Sequence, residues 1–192
     1  MRQDNFIPDS QVAVYRSRGR LPHWFTSNAT YFITFRLRDS LPREVAANLI
    51  EERDRLVARA RNASERVAFE RAFAKRFDAR LDEGLGSCLL RDHAKTMVEV
   101  LTHFDGVRFT LHAWCVMPNH VHVLVYVERG LDVPMIVQGW KNVSAHRIKC
   151  GAIWQREYYD RIVRGVKEFE EVKEYIRANP GKAGLKDWPW TG

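Results

Sequence analysis

The segment that most constrains the fold is a pair of strand patterns joined by a two-residue turn. Residues 107–117 read VRFTLHAWCVM and residues 120–127 read HVHVLVYV, with Pro118 and Asn119 between them. Side chains alternate along both runs as they do in strands whose two faces differ in environment. In the first run the residues predicted to share a face are Phe109, Leu111, Ala113 and Cys115. A short turn between such runs predicts two adjacent antiparallel strands.

The rest of the chain predicts two more extended segments and several helices. Residues 30–38 read TYFITFRLR and alternate as a central strand does, and a short extended run is predicted within residues 153–163. Apolar residues recur at helical intervals in the segments 43–82, 92–104, 134–149 and 167–179. The first of these is interrupted at residues 62–65, so it predicts a helical hairpin whose second helix is capped by Ser64.

Strands and helices follow one another in an order that favours an α+β fold, with a central antiparallel sheet flanked by helices. We expect residues 1–192 to form a single domain, in which about 43–82 is a helical hairpin insertion and 186–192 is a C-terminal tail. Trp188 and Trp190 are expected to pin that tail to the domain. The chain has no stretch of about 20 apolar residues and opens without an export signal, so we expect a cytoplasmic protein with no membrane partner.

The formal net charge of +7 is concentrated in two segments, 1–43 and 141–164, that are also rich in aromatic residues. Basic groups neutralise phosphates and aromatic faces stack on unpaired bases, so this combination favours a single-stranded nucleic-acid partner. The same charge fits an ordinary basic protein with solvated arginines. Composition alone leaves both interpretations open.

Two histidines stand two residues apart in the second strand of the predicted pair. Alternation along a strand places the imidazoles of His120 and His122 on one face, where they can share one divalent metal ion. Taken alone, such a pair is more often two half-exposed histidines on a sheet face. Here the pair follows a Pro-Asn turn and interrupts a run of valine and leucine, where polar rings need a compensating interaction. The strand therefore predicts a metal site.

A second candidate motif lies in residues 171–180, EVKEYIRANP. Tyr175 and Asn179 are one helical turn apart, so they share a helix face and can deliver a hydroxyl nucleophile and an oxygen ligand together. Pro180 disfavours helical geometry at Asn179 and is predicted to end the helix. The alternatives are a tyrosine at the edge of the core and an asparagine that terminates a helix.

The order of these motifs resembles that of a known family. Three segments closely resemble the REP-associated tyrosine transposases, which are relatives of the insertion-sequence transposases of the HUH endonuclease superfamily. These segments are MPNHVHVLV at 117–125, WQREYYDRIVR at 154–164 and YIRANPGKAGL at 175–185. RLPHW at 20–24 and YFITFRLRDSLP at 31–42 resemble the first strand of the same family. The resemblance covers most of the chain except the helical hairpin. It implies a ferredoxin-like HUH sheet.

The resemblance also implies a role for each candidate residue. His120 and His122 would be metal ligands, Tyr175 the catalytic tyrosine, and Asn179 a third ligand at a place where related transposases carry glutamine. The implied cofactor is Mg²⁺ or Mn²⁺, without a nucleotide. The implied activity is cleavage and rejoining of single-stranded or hairpin DNA, of the repetitive extragenic palindrome type, through a 5′-phosphotyrosine.

The basic clusters suggest which residues line the DNA path. These are Arg36, Arg38, Lys141, Arg147 and Arg164. Two other functions stay open at this point: a hairpin DNA- or RNA-binding regulator that forms no covalent adduct, and a metal-dependent phosphoesterase that uses activated water. The sequence fits a monomer or a homodimer.

Overall fold

The computed structural model describes residues 14–16, 23–26, 28–128 and 130–192. Its strands are β1 (Val14–Arg16), β2 (His23–Phe25), β3 (Ala29–Arg36), β4 (Phe109–Val116), β5 (His120–Val127) and β6 (Tyr159–Ile162). Four of them form an antiparallel sheet in the order β4-β5-β3-β6, while β1 and β2 pair separately.

The helices are α1 (Arg43–Ala58), α2 (Ala63–Asp82), α3 (Leu90–Thr102), α4 (Val133–Ile148) and α5 (Gly165–Lys182). Helices α1 and α2 form a hairpin inserted between β3 and α3. The prediction of an α+β fold with a central antiparallel sheet, flanking helices and a helical hairpin insertion is confirmed. Within the described residues, no helix is long and apolar enough to cross a bilayer.

The two faces of β5 have different environments, as its alternation predicted. Its four valines join the larger core with residues of α3 and α4, whereas Leu124 packs on the opposite face with Phe169, Val172 and Ile176 of α5. Each fully buried side chain of this size contributes about 1.5–3 kcal/mol to stability. Helix α5 is therefore held on the face of the sheet that carries His120 and His122.

The predicted alternation of β4 is wrong beyond Leu111. The pairing of β4 with β5 shifts by one residue between Leu111 and Ala113, so the strand contains a β-bulge. An extra residue reverses which face the following side chains occupy. Phe109 consequently packs in the core with Val116, while Ala113 and Cys115 face α5.

The ends of two helices also differ from the prediction. Asn62, rather than Ser64, caps α2, because its side-chain oxygen accepts a hydrogen bond from the Glu65 backbone at 2.8 Å. Pro180 does not end α5, which continues to Lys182. In the last turn a proline removes one helical hydrogen bond, and the carbonyls of Asn179 and Pro180 still accept from Ala183 and Leu185.

The C-terminal residues pair with the free edge of β4. The backbones of Trp114 and Gly192 hydrogen-bond to each other in both directions, and the Trp188 indole donates to the Val116 carbonyl at 2.8 Å. The expectation that the tail is pinned to the domain is confirmed.

Candidate active site

His120 and His122 lie side by side on the α5 face of β5. Both side chains are fully buried, and their Nε2 atoms are 3.0 Å apart. The strand geometry alone produces this approach, because residues two apart on a strand share a face. Two imidazole nitrogens at this distance must share either a proton or a cation, because two lone pairs would repel each other.

The other nitrogen of each ring is held by a polar side chain. Nδ1 of His120 lies 2.7 Å from Oδ1 of Asn119, and Nδ1 of His122 lies 2.8 Å from Oγ1 of Thr34 on β3. An amide oxygen only accepts hydrogen bonds, so Nδ1 of His120 carries the proton and Nε2 has a free lone pair. His120 is therefore fixed in the tautomer that a metal ligand requires.

The Thr34 hydroxyl permits either tautomer of His122, since it can both donate and accept. Without a metal ion, Nε2 of His122 donates to His120, and Thr34 donates to Nδ1. In the other tautomer, Nδ1 of His122 carries the proton and donates to Thr34. The Nε2 lone pairs of both histidines then face the same point. Thr34 thus supports the proton shift that would open the pair to a cation.

Both histidines are neutral around pH 7. Burial lowers the pKa of His120 well below its usual value, and the neighbouring His122 lowers it further. Burial alone lowers the pKa of His122 to about 3. Neutral imidazole is the form that binds metal ions.

Helix α5 brings the second motif to the histidines. The rings of His122 and Tyr175 are 5.6 Å apart between centroids, and Nδ2 of Asn179 donates to the Tyr175 hydroxyl at 3.4 Å. Asn179 is fully buried, and its Oδ1 has no hydrogen-bond partner. The structure thus brings together all four residues predicted as nucleophile and ligands.

Two carboxylates of the hairpin helix α2 complete the site. Oδ2 of Asp78 accepts a hydrogen bond from the Tyr175 hydroxyl at 2.9 Å, and Oδ1 of Asp82 lies 3.7 Å from Nε2 of His120. Because His120 is neutral, the second contact is not an ion pair. Neither aspartate was predicted from the sequence, although their spacing of one helical turn places them on one helix face.

The donor set fits a divalent cation. Within the described part of the chain, no group of three or more His, Cys, Asp or Glu side chains has metal-site geometry. The amide of Asn179, beside Tyr175, offers an oxygen donor of another kind. A buried acceptor without a partner costs free energy, and Oδ1 of Asn179 and Oδ1 of Asp82 both lack one. Two imidazole nitrogens with amide and carboxylate oxygens nearby suit Mn²⁺ and also other divalent ions.

Comparison with known proteins shows what this chain resembles. The sequence profile of the IS200-like transposase family matches residues 87–179, a span that contains both histidines, Tyr175 and Asn179. The chain is similar to the REP-associated tyrosine transposases. Its predicted family resemblance is confirmed. The hairpin that carries Asp78 and Asp82 lies outside the matched span.

Two curated proteins match this chain over part of their length. The REP-associated tyrosine transposase of Escherichia coli K12 is 28% identical over 90 residues, which cover 43% of this chain and 53% of that protein. The putative REP-associated tyrosine transposase of Haemophilus influenzae is 26% identical over 102 residues, with 43% and 58% covered. The chain thus matches little more than half the length of these relatives.

A solved structure has the same fold. The structure of a REP-associated tyrosine transposase bound to a REP hairpin matches with a TM-score of 0.55 and 17% identity, over 88% of this chain and 79% of that one. At this identity the match shows the fold rather than the function.

The basic residues predicted to line a DNA path differ in exposure. Arg38, Arg147 and Arg164 are exposed, and Arg147 pairs with Glu99. Arg36 is buried against Ser40 and the ring of Phe77. Lys141 is buried and donates to the carbonyls of residues 155–157, and burial lowers its pKa to about 8.

Proposed function

We propose that this chain is a metal-dependent single-stranded DNA endonuclease and strand transferase that acts at hairpin sequences through a 5′-phosphotyrosine. One observation carries the proposal: the Tyr175 ring of α5 packs against His122 of the buried histidine pair, and its hydroxyl contacts Asn179, whose amide oxygen has no hydrogen-bond partner. The family profile and the hairpin-bound relative support it.

Tyr175 is the proposed nucleophile. Its oxygen would attack the scissile phosphate and displace a 3′-hydroxyl, leaving the downstream strand attached through its 5′-phosphate. Reversal by a new 3′-hydroxyl transfers the strand. Burial raises the pKa of Tyr175 above its ordinary value, and the neighbouring Asp78 raises it further, so the phenol needs help to lose its proton.

The metal ion would be held by His120, His122 and Asn179. Asp82 would add negative charge beside His120. A bound divalent ion polarises the scissile phosphate and offsets charge in the transition state. Asn119 and Thr34 keep the two rings aimed at the shared position. Lys182 lies over the Tyr175 ring, with Nζ 4.8 Å from its centroid, and adds positive charge where the phosphate would lie.

The proposed substrate is DNA with a hairpin and an unpaired segment. One relative is bound to a REP hairpin, and this chain carries an excess of positive charge. Exposed arginines such as Arg38 and Arg164 would contact phosphates, while buried Arg36 and Lys141 would support the site. The protein would need no nucleotide cofactor, because the phosphotyrosine preserves the energy of the bond that is broken.

A denaturing gel with end-labelled hairpin DNA and Mn²⁺ tests the proposal. We expect a covalent protein–DNA band with 3′-labelled DNA and free product with 5′-labelled DNA, because the downstream strand is the one retained. Tyr175→Phe and His120→Ala should abolish the band. Tyr126→Phe, at the other end of β5, is the matched control and should keep it.

The other outcomes distinguish the alternatives. Cleavage without an adduct, retained in Tyr175→Phe, would show attack by water. Binding without cleavage would show a hairpin-binding regulator. Either result would overturn the proposed function.

A further inference from the structure

We propose that Asp78, on the inserted hairpin, is the catalytic base that accepts the proton of Tyr175 as it attacks. The inference rests on the proposed function and extends it to a residue outside the family match at 87–179. It assigns a catalytic role to a segment that the family motifs do not include.

The contact is direct and protected from solvent. The Tyr175 hydroxyl donates to Oδ2 of Asp78 at 2.9 Å, and the Asp78 side chain is only 6% exposed. A general base must lie within hydrogen-bond distance of the proton that it removes. Among the described residues, Asp78 is the carboxylate that forms a hydrogen bond with this hydroxyl.

The other candidate bases in the site are directed elsewhere. Each imidazole uses Nδ1 to contact Asn119 or Thr34 and Nε2 to face the other ring. Asp82 lies toward His120 and Asn179. Of these candidate bases, Asp78 is the one that accepts a hydrogen bond from the Tyr175 hydroxyl, so the proton passes to α2.

Contacts along α2 fix the position of Asp78. Nδ2 of Asn119 donates to the carbonyls of Leu81 and Leu85 at 3.1 Å, which ties the end of α2 to the turn before His120. Arg71 of α2 pairs with Glu168 of α5 at 3.0 Å. These contacts lie on either side of Asp78, so the hairpin is placed against both the histidine strand and the tyrosine helix.

The charges around Asp78 suit proton transfer near neutral pH. The groups that face it are Tyr175 of α5, Tyr159 and Arg161 of β6, and Asp82 of α2. Burial raises the pKa of Asp78 to about 7; Asp82 raises it as well, while the hydrogen bond from Tyr175 and the charge of Arg161 lower it. A base with a pKa near the working pH is the most effective proton acceptor.

The proposed step conserves atoms and charge. The Tyr175 oxygen forms a bond to phosphorus as its proton passes to the Asp78 carboxylate, and the bond from phosphorus to the 3′-oxygen breaks. The departing 3′-oxygen takes a proton from solvent water, and protonated Asp78 later returns its proton to solvent. In the rejoining step, the oxygen of the incoming 3′-hydroxyl forms a bond to phosphorus and its proton passes to solvent. The bond from phosphorus to the Tyr175 oxygen breaks, and Asp78, reprotonated from solvent, gives a proton to that oxygen.

The test measures single-turnover adduct formation between pH 5.5 and 9 with 3′-labelled hairpin DNA and Mn²⁺. We expect the wild-type rate to rise with pH and level off above about 7, because Asp78 must be ionised. Asp78→Asn should form adduct about 10²–10⁴-fold more slowly and lose the inflection near pH 7. Asp54→Asn, on exposed α1, is the matched control and should behave as wild type.

Asp78→Glu keeps a carboxylate and should restore the inflection, which separates proton transfer from a purely structural role. Hairpin binding by Asp78→Asn, measured by fluorescence anisotropy, should match the wild type. If Asp78→Asn forms adduct at the wild-type rate, or keeps the inflection near pH 7, the role of Asp78 is overturned and the proposed function is not. Absence of an adduct from the wild type would overturn the proposed function and the role of Asp78 with it.

Discussion

Oδ1 of Asn119 accepts a hydrogen bond from Nδ1 of His120 at 2.7 Å, while Nδ2 of the same side chain donates to the carbonyls of Leu81 and Leu85. One buried amide thus orients a proposed metal ligand and secures the end of the inserted hairpin. The two donor contacts also fix the orientation of the amide, and hence the tautomer of His120.

Replacing Asn119 should therefore affect both metal binding and stability. Asn119→Ala removes the acceptor for His120, so we expect Mn²⁺ affinity to fall about 10–100-fold. It also removes the side-chain hydrogen bonds to the carbonyls of Leu81 and Leu85. We expect the free energy of unfolding to fall by about 1–3 kcal/mol. Electron paramagnetic resonance of free Mn²⁺ measures the Mn²⁺ affinity, and urea unfolding measures the free energy of unfolding. Unchanged Mn²⁺ affinity would show that Asn119 serves only the hairpin.

Thr34→Val tests the orientation of the second ring. The variant keeps the shape of the side chain but removes the hydroxyl that contacts Nδ1 of His122, so Mn²⁺ binding should weaken about 10–100-fold. Thr30→Val, on the same strand opposite Tyr126, is the matched control and should keep wild-type affinity. Equal affinities for the two variants would contradict the role given to Thr34.

Asp78→Asn should stabilise the protein at alkaline pH. Because the folded-state pKa of Asp78 is raised from 3.8 to about 7, the folded state holds this proton more tightly than the unfolded state. Its contribution to stability is therefore lost as pH rises from about 4 to about 7. The advantage of Asp78→Asn over wild type, measured by urea unfolding, should be larger at pH 8 than at pH 5.

Comparing Asp78→Asn with wild type cancels the contribution of His120 and His122, whose pKa values are lowered by burial. Asp54→Asn should show no such dependence on pH. A constant difference between Asp78→Asn and wild type across this pH range would show that Asp78 is not a strained buried acid. If Asp78→Asn is more stable but less active than wild type, Asp78 lowers the stability of the protein while it supports activity.

The sequence predicted the parts of the site that depend on local periodicity. The two-residue period of β5 places His120 beside His122, and the helical period of α5 places Tyr175 beside Asn179. The family motifs then linked the two elements. Asp78 could not be predicted in the same way, because its partner Tyr175 is 97 residues away and only the packing of the hairpin brings them together. The bulge after Leu111 likewise depends on pairing with β5, since no local pattern signals an extra residue.

Burial separates two neighbouring arginines that the charge pattern treats alike. Arg38→Ala should weaken hairpin DNA binding and reduce the salt slope of log Kd by about 1, because Arg38 is exposed. Arg36→Ala should instead lower stability, because the Arg36 guanidinium is buried against Ser40 and Phe77. Fluorescence anisotropy at several salt concentrations and thermal unfolding distinguish the two effects. A salt slope unchanged by Arg38→Ala would place the DNA on another surface.

Asp82 gives the most direct test of whether the hairpin contributes to metal binding. Its Oδ1 is buried, lacks a hydrogen-bond partner and lies 3.7 Å from Nε2 of His120. A negative charge at this distance attracts a cation held by the histidine pair. Asp82→Asn should therefore weaken Mn²⁺ binding about 10-fold or more, measured on the DNA-free protein by electron paramagnetic resonance. Glu83→Gln, at the adjacent exposed acid that pairs with Arg80, should leave the affinity unchanged. If the two variants bound Mn²⁺ equally well, the metal site would be confined to β5 and α5, and the hairpin would serve Tyr175 alone.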